Sequence, residues 1–521
     1  MMGNDRKDFL IKALRNRAEV YSFTGKYKQG IEDCIKAISY CKSESHPDLS
    51  LIAEVEIELA NIIEKGTHDY DRAENLVNSA LKKVSKKNEP EIYNRGMDEL
   101  GSIFWRKGNY VNALSCFRKA QTTYEKLKHK KGIAVSTHNM GIVYWNKGEL
   151  NTALKYFKRS FVIFKQIGYK MGVGMTSNNT GLVYYNKGEL DTALKYYEKS
   201  LFIFKEIGHK MGIGMATGNI GTVYRVREKL GVALKYYRKY LSISEEIGDK
   251  RGIGIVSNNI GGAYFAKGEL DTALKYYKKH LTISEQSGDK WGMSCAFGNI
   301  GIAYHDKGEI VTALRYYKKD ISISEKIGDK RGIGIAAINL GRAYIDLKNY
   351  DKAKTLLKKA ENIIKVIGDK INLSNVYIHL AELNTVQKKN KIGLSFAKKA
   401  LLLARDTGGK LQETSALRTI GKALFNISKK QTEKSRKKKE KKDAIFYLKQ
   451  SISLAKKQNL KLEYAKSLYE LAKIMLETGN NTVVALQNLK EAKKIFKKAS
   501  AEGWLDRVSK LTKKRGNREM T

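Results

Sequence analysis

Proline is almost missing from the sequence, occurring only as Pro47 and Pro90 in 521 residues. Since proline interrupts helices by removing a donor and clashing with the preceding turn, its scarcity predicts long unbroken helices beyond residue 90. Cysteine is nearly as rare. Cys34, Cys41, Cys116 and Cys295 form no C-x-x-C pair and have no histidines at zinc spacing beside them, which excludes a disulfide framework or zinc module and leaves them as small, reduced core residues. No apolar run approaches the roughly eighteen residues that a membrane helix needs. Asp5, Arg6, Lys7, Asp8 and Arg15 break up the apolar residues of the amino terminus, so neither a signal peptide nor a membrane span is expected. Met1-Met2-Gly3 does not place glycine second, so myristoylation is not expected either. The expected location is cytoplasmic.

Catalytic motifs are missing as well. The eight histidines are scattered, and there is no H-E-x-x-H, G-x-S-x-G or phosphate loop. The run Gly252 to Gly254 lacks the strand and the third glycine of a dinucleotide site and reads as close helix packing. No enzyme activity, cofactor or metal is expected. Acidic residues are in deficit: 54 against 98 basic ones give a net charge of +44, enough for a long-range field whose meaning depends on where the charge lies.

What is present is a forty-residue unit, clearest from Trp291 to Lys330. Its central glycine recurs as Gly101, Gly141, Gly181, Gly221, Gly261, Gly301 and Gly341, in steps of 40 residues. A fixed period of this length marks a stacked repeat array, which grows by adding units instead of splitting into domains. Apolar residues at three- and four-residue spacing predict two helices per unit. Gly268 and Gly308 are placed to end first helices, and Gly248, Gly288, Gly328 and Gly368 to end second ones. Asp249, Asp289, Asp329 and Asp369 then cap the next helix. Gly301 and Ala313 are small where the two helices cross, with Tyr304 and Tyr317 filling the surrounding space.

Phe297, Ile300, Gly301, Tyr304, Ala313 and Tyr317 fall on the W-x2-L-G-x2-Y, A-x3-F spacing of the tetratricopeptide repeat (TPR), which the unit resembles. It departs in length, 40 residues against 34, and in having Glu325 where the family closes the second helix with proline. It is similar to the long-repeat arrays of Pins-type polarity adaptors and kinesin light chains. The resemblance implies an all-α, right-handed TPR superhelix. Small residues from Ala18 and Ala60 through the glycines to Ala381, Gly421 and Ala472 mark about twelve helix-turn-helix repeats. Divergent repeats are expected over 1–90, regular ones with a peptide groove over 91–370, and divergent ones over 371–428. A polybasic insert occupies 429–442, a loop or helix extension, and the final repeat region 443–500. A capping helix with Trp504, Leu505, Val508 and Leu511 and a basic tail complete 501–521. Pins-type adaptors carry G-protein-binding motifs after their repeats; none is found between Leu505 and Thr521, so that role does not carry over.

Two residues before the central glycine stand Asn139, Asn179, Asn219, Asn259, Asn299 and Asn339, bounded by Glu58 and Glu99 before and His379 and Thr419 after. Asparagine is a poor helix former, so an interaction should offset its cost. In TPR proteins this face looks into the concave groove, where asparagine holds the backbone of an extended peptide, and a carboxamide matches a peptide unit in donors and acceptors. The other reading is an internal tie between neighbouring repeats. Trp145, Tyr185, Arg225, Phe265 and His305, four residues after the glycine, face the same way; each aromatic taken singly reads as packing between neighbouring units, and as a set they are expected to form side-chain pockets in an apolar, aromatic groove with few charges. Six polar sites contribute roughly 3 to 9 kcal/mol against about 2 to 5 for ordering a peptide. A tight partner therefore needs apolar anchors. The expected function is a non-catalytic scaffold or adaptor for a protein or peptide, one whose approach the basic second helices would speed if it is acidic overall. The alternatives are a basic scaffold binding nucleic acid or anionic membrane through its convex face, with Lys429 to Lys442 as the local candidate, or the regulatory arm of a signalling system.

Overall fold

The computed structural model describes residues 2–23, 26–43, 47–67, 69–479 and 481–519. Among them run twenty-five helices and no strand, from Met2–Phe23 to Glu502–Glu519. In the regular region they pair within each forty-residue unit, as Lys170–Asn186 with Leu190–Glu206. No helix among the described residues is long and apolar enough to cross a membrane.

Local signals explain the boundaries. Gly188 ends a first helix at φ +77° with its N–H on the Tyr185 carbonyl at 3.0 Å. Glu228 and Lys348 take the same left-handed geometry at φ 60° and 59°, so the turn persists where glycine is lost, at about 1 kcal/mol or more per site. Asp249, Asp289, Asp329 and Asp369 accept the amides of Gly252, Gly292, Gly332 and Asn372 at 2.8 to 3.0 Å. The capping carboxylates thus satisfy donors that a helix start leaves open.

Packing within a unit follows from the central glycine. A Cβ on Gly301 would stand 2.5 Å from Tyr317 Cε1, and one on Gly141 2.7 Å from Phe157 Cε1. Tyr304 stacks on Tyr316 with ring centroids 5.6 Å apart, and Tyr144–Tyr156, Tyr184–Tyr196, Tyr224–Tyr236 and Tyr264–Tyr276 repeat the pair at 5.0 to 5.7 Å. Such rings add to area burial through their stacked geometry. Cys34, Cys41 and Cys116 are buried, and burial pushes the Cys34 thiol up to about 12.

The chain divides into two compact units, one made of Met1–Asn259 with Lys279–Met293, the other of Ile260–Lys278 with Ser294–Thr521. Within each, consecutive helices pack side by side. Successive first helices also touch, as Lys130–Asn146 with Lys170–Asn186 and Lys370–Val386 with Lys410–Lys430, while successive second helices meet at most sparsely. First helices therefore lie on the inner, crowded side of each curve. The basic residues Lys195, Lys235, Lys275, Lys279 and Lys319 of the second helices are exposed.

The second unit closes on itself. Its last helix brings Gly503 against Gly308, where an added Cβ would come within 2.4 Å of the Gly503 Cα. Arg507 reaches Asp346 at 3.2 Å across 161 residues, and Lys466 reaches Asp306 at 3.2 Å across 160. Val508 is buried, and Trp504, Leu505 and Leu511 pack against the same apolar cluster. The polybasic insert is a helix extension: Lys410–Lys430 and Lys434–Lys457 are lengthened helices with a break between them. The side chains of the basic tail after residue 512 lie outside the described residues.

Candidate binding face

The asparagines that precede the central glycines are all half-buried on the first helices. In the first unit two of them bond to the preceding repeat. Asn179 Nδ2 lies 3.0 Å from His138 Nε2, and Asn219 Nδ2 donates to Asn178 Oδ1 at 2.8 Å. His138 is buried and its Nδ1 is 3.1 Å from Thr176 Oγ1. Burial pushes the imidazole down to about 4, so it is neutral, donating from Nδ1 and accepting at Nε2. Each tie uses one N–H of a carboxamide that has two N–H bonds and an oxygen. Asn139 lines a cavity between the first helices of the amino-terminal repeats.

Trp145 packs beside Ala153, Phe157 and Val183, and its indole Nε1 is buried with no hydrogen-bond partner. Tyr185 packs beside Ala193, Tyr197, Ile220 and Val223. Burial raises its hydroxyl above the usual range, with Arg225 close enough to oppose the shift.

The second unit departs from the expected apolar groove. Phe265 packs against the cluster of Leu270, Leu462, Ala499 and Ala501, so carboxy-terminal repeats cover it. His305 is 3% exposed and its Nε2 is 2.8 Å from Asp346 Oδ2. Asp306 accepts from Arg342 at 2.9 Å and Lys466 at 3.2 Å, and Glu463 accepts from Lys466, Arg418 and Ser415. Burial by itself would raise Glu382, but the His379 hydrogen bond with Lys422 and Arg418 nearby holds it at about 2. The face is a network of compensated charges, and the expectation of few charges fails there. Phe265 and His305 serve the unit's own closure. The sequence shows each charge singly, but their pairing across 160 residues leaves no periodic signal. Asn299 and Asn339 lie on this unit, half-buried, with Asn339 Nδ2 lacking a partner.

In the sequence the acidic side chains that replace asparagine at the start of the ladder read only as its boundary. Glu58 and Glu99 occupy the register of the asparagines and line the cavity that Asn139 shares. The signal was present in that substitution. Among the described residues no group of three histidine, cysteine or acidic side chains is placed to hold a metal.

No curated protein matches the chain. Solved structures with similar repeats include a Rap protein complexed with competence and sporulation factor, at 13% identity over 69% of this chain and 99% of that one, TM-score 0.49. The Rap conjugation gene regulator of plasmid pLS20 in complex with the Phr* peptide is similar at 16% identity, covering 69% and 96%, TM-score 0.47. Yeast Tom70 is similar at 12% identity over 97% of both chains, TM-score 0.37. The tetratricopeptide repeat profile matches residues 91–166, 172–246, 212–286, 252–326 and 292–365. These segments span more than half of the sequence, and the chain belongs to the tetratricopeptide repeat family.

Proposed function

We propose that the chain is a non-catalytic interaction scaffold that holds an extended peptide segment on the first-helix face of its first compact unit. Asn139, Asn179, Asn219 and Asn259 grip the peptide backbone there, and Trp145, Tyr185 and Arg225 meet its side chains. The observation that carries the reading is the geometry of Asn179 and Asn219. Each is fixed by one bond to the preceding repeat, which orients the carboxamide in advance and lowers the entropy lost on binding. Trp145 is half-buried, so part of its side chain is open to a side chain of the peptide. Phe265 and His305 have no part in this reading, being packed within the second unit.

The full chain should select short unstructured peptides from a displayed library. Asn219→Ala with Asn259→Ala should weaken the selected peptides about tenfold or more, from the loss of two hydrogen-bonding sites. The melting temperature should stay within a few degrees of the parent. Undiminished binding by the double variant overturns the proposal. A large fall in melting temperature assigns the asparagines to internal ties.

A further inference from the structure

The cavity at the start of the ladder has a volume of about 330 Å³ and lies between first helices of the first unit. Four carboxylates line it, Glu19, Glu58, Asp98 and Glu99, against two cations, Lys65 and Arg95. An acidic hollow stands out in a chain with a net charge of +44. Asp98 is already satisfied, accepting from Ser136 Oγ at 3.1 Å and Tyr124 Oη at 3.3 Å. Glu99 is not. Its Oε2 accepts from Asn61 Nδ2 at 2.9 Å, while its Oε1 is buried without a partner. Ser22 Oγ, on the same cavity, is also buried without a partner. The two residues are 8% and 7% exposed.

Buried polar atoms are normally hydrogen-bonded, and one left open costs its full desolvation. Burial pushes Glu99 up to about 8, with Glu64 adding to the shift. Burial raises Glu58 as well, against Lys65. At neutral pH Glu99 is therefore largely protonated, and an entering cation would offset the cost of burying its ionised form. Metal geometry is not built here, whereas an alkyl cation brings several N–H donors on an apolar stem that a cavity of this size accommodates.

We propose that this cavity binds an alkyl cation, the ammonium or guanidinium group of a lysine or arginine side chain or of a free amine, with Glu58 and Glu99 as counter-charges and Ser22 Oγ as acceptor. The site takes over the ladder register where carboxamide gives way to carboxylate. It stands whether or not the ladder holds a peptide.

Calorimetric titration of the full chain with agmatine and with N-acetyl-Gly-Arg-Gly-amide tests it, with the citrulline counterpart of the peptide as control. Both cations should bind and the citrulline peptide should not. Glu58→Gln with Glu99→Gln should weaken agmatine about tenfold or more, the scale of a lost charge-assisted hydrogen bond. Ser22→Leu, which removes the acceptor, narrows the cavity and keeps every carboxylate, should weaken agmatine and covers the case in which the glutamine variant fails to fold. Asn219→Ala with Asn259→Ala should leave agmatine binding unchanged, which separates this site from the peptide reading. Tighter binding of the peptide than of agmatine identifies a side chain as the natural occupant, and the reverse a free amine. No heat with agmatine at millimolar concentration, or the same affinity in the glutamine and leucine variants, overturns the proposal.

Discussion

Asn179 donates to Nε2 of His138, which lies 41 residues earlier on the first helix of the preceding repeat. The bond fixes the histidine as a neutral tautomer, because Nε2 must accept while Nδ1 faces Thr176 Oγ1 at 3.1 Å. A side chain singled out as a ligand contact is thus a joint between repeats, and the contact proposed for it would draw on the other atoms of its carboxamide.

That joint sets a pH dependence. His138, His280 and His305 are all pushed down to about 4, by burial first, with Arg342 adding to the effect at His305. In the unfolded chain each takes a proton near pH 6.5. A depressed folded value means that their contribution is complete above about pH 6.5 and falls as the pH drops towards 4. For His138 the loss is on the order of 3 kcal/mol at most. Asp98 and Asp320, raised by burial to about 7, run the other way, destabilising the fold as pH rises. The histidine part is therefore read as a difference. Between pH 7 and 4.5 the melting temperature of His138→Gln should fall less steeply than that of the parent, and equal slopes would refute the assignment.

Glycine at the helix crossing makes a paired prediction. A Cβ on Gly301 would stand 2.5 Å from Tyr317 Cε1, whereas one on Gly231, in helix Leu230–Glu246, meets nothing within 4 Å. Gly301→Ala should destabilise by about 1 to 3 kcal/mol through overpacking. Gly231→Ala should stabilise by about 0.5 kcal/mol through helix propensity. Thermal melts should move in opposite directions, and a neutral Gly301→Ala would mean that Tyr317 has room to shift.

Lys466 is 5% exposed and contacts both Asp306 and Glu463. Lys466→Met leaves buried carboxylates with one cation fewer and should cost about 3 kcal/mol or more. The loss should appear locally, as faster amide exchange in helices Lys290–Lys307 and Lys461–Thr478 before the rest of the second unit. Uniformly unchanged exchange would show that the closure rests on the last helix, through Gly503, Trp504 and Arg507.

Much of the fold is legible in the order of residues. The period, the two helices per unit, the aspartate caps and the small residue opposite Tyr317 are set by contacts within a repeat or with its neighbour. Interactions of that range recur with every copy, so they print a pattern into the sequence. The register of Asn179 and Asn219 is readable for the same reason, although whether their amides meet a partner or the preceding repeat is not.

Sequence alone is enough for the class of fold, the count of repeats and the register of the first-helix face, because a solenoid is built from nearest-neighbour terms. Which parts of that face are open depends on the tertiary arrangement. Phe265 is covered by residues near Ala499, His305 sits beside Asp346, and Asp306 meets Lys466 from 160 residues away. Ser22, Glu58 and Glu99 gather around one cavity. Each of these contacts occurs once, so no period records it. They follow from how the repeats curve within each compact unit, and that curvature accumulates from small packing angles that no single repeat displays.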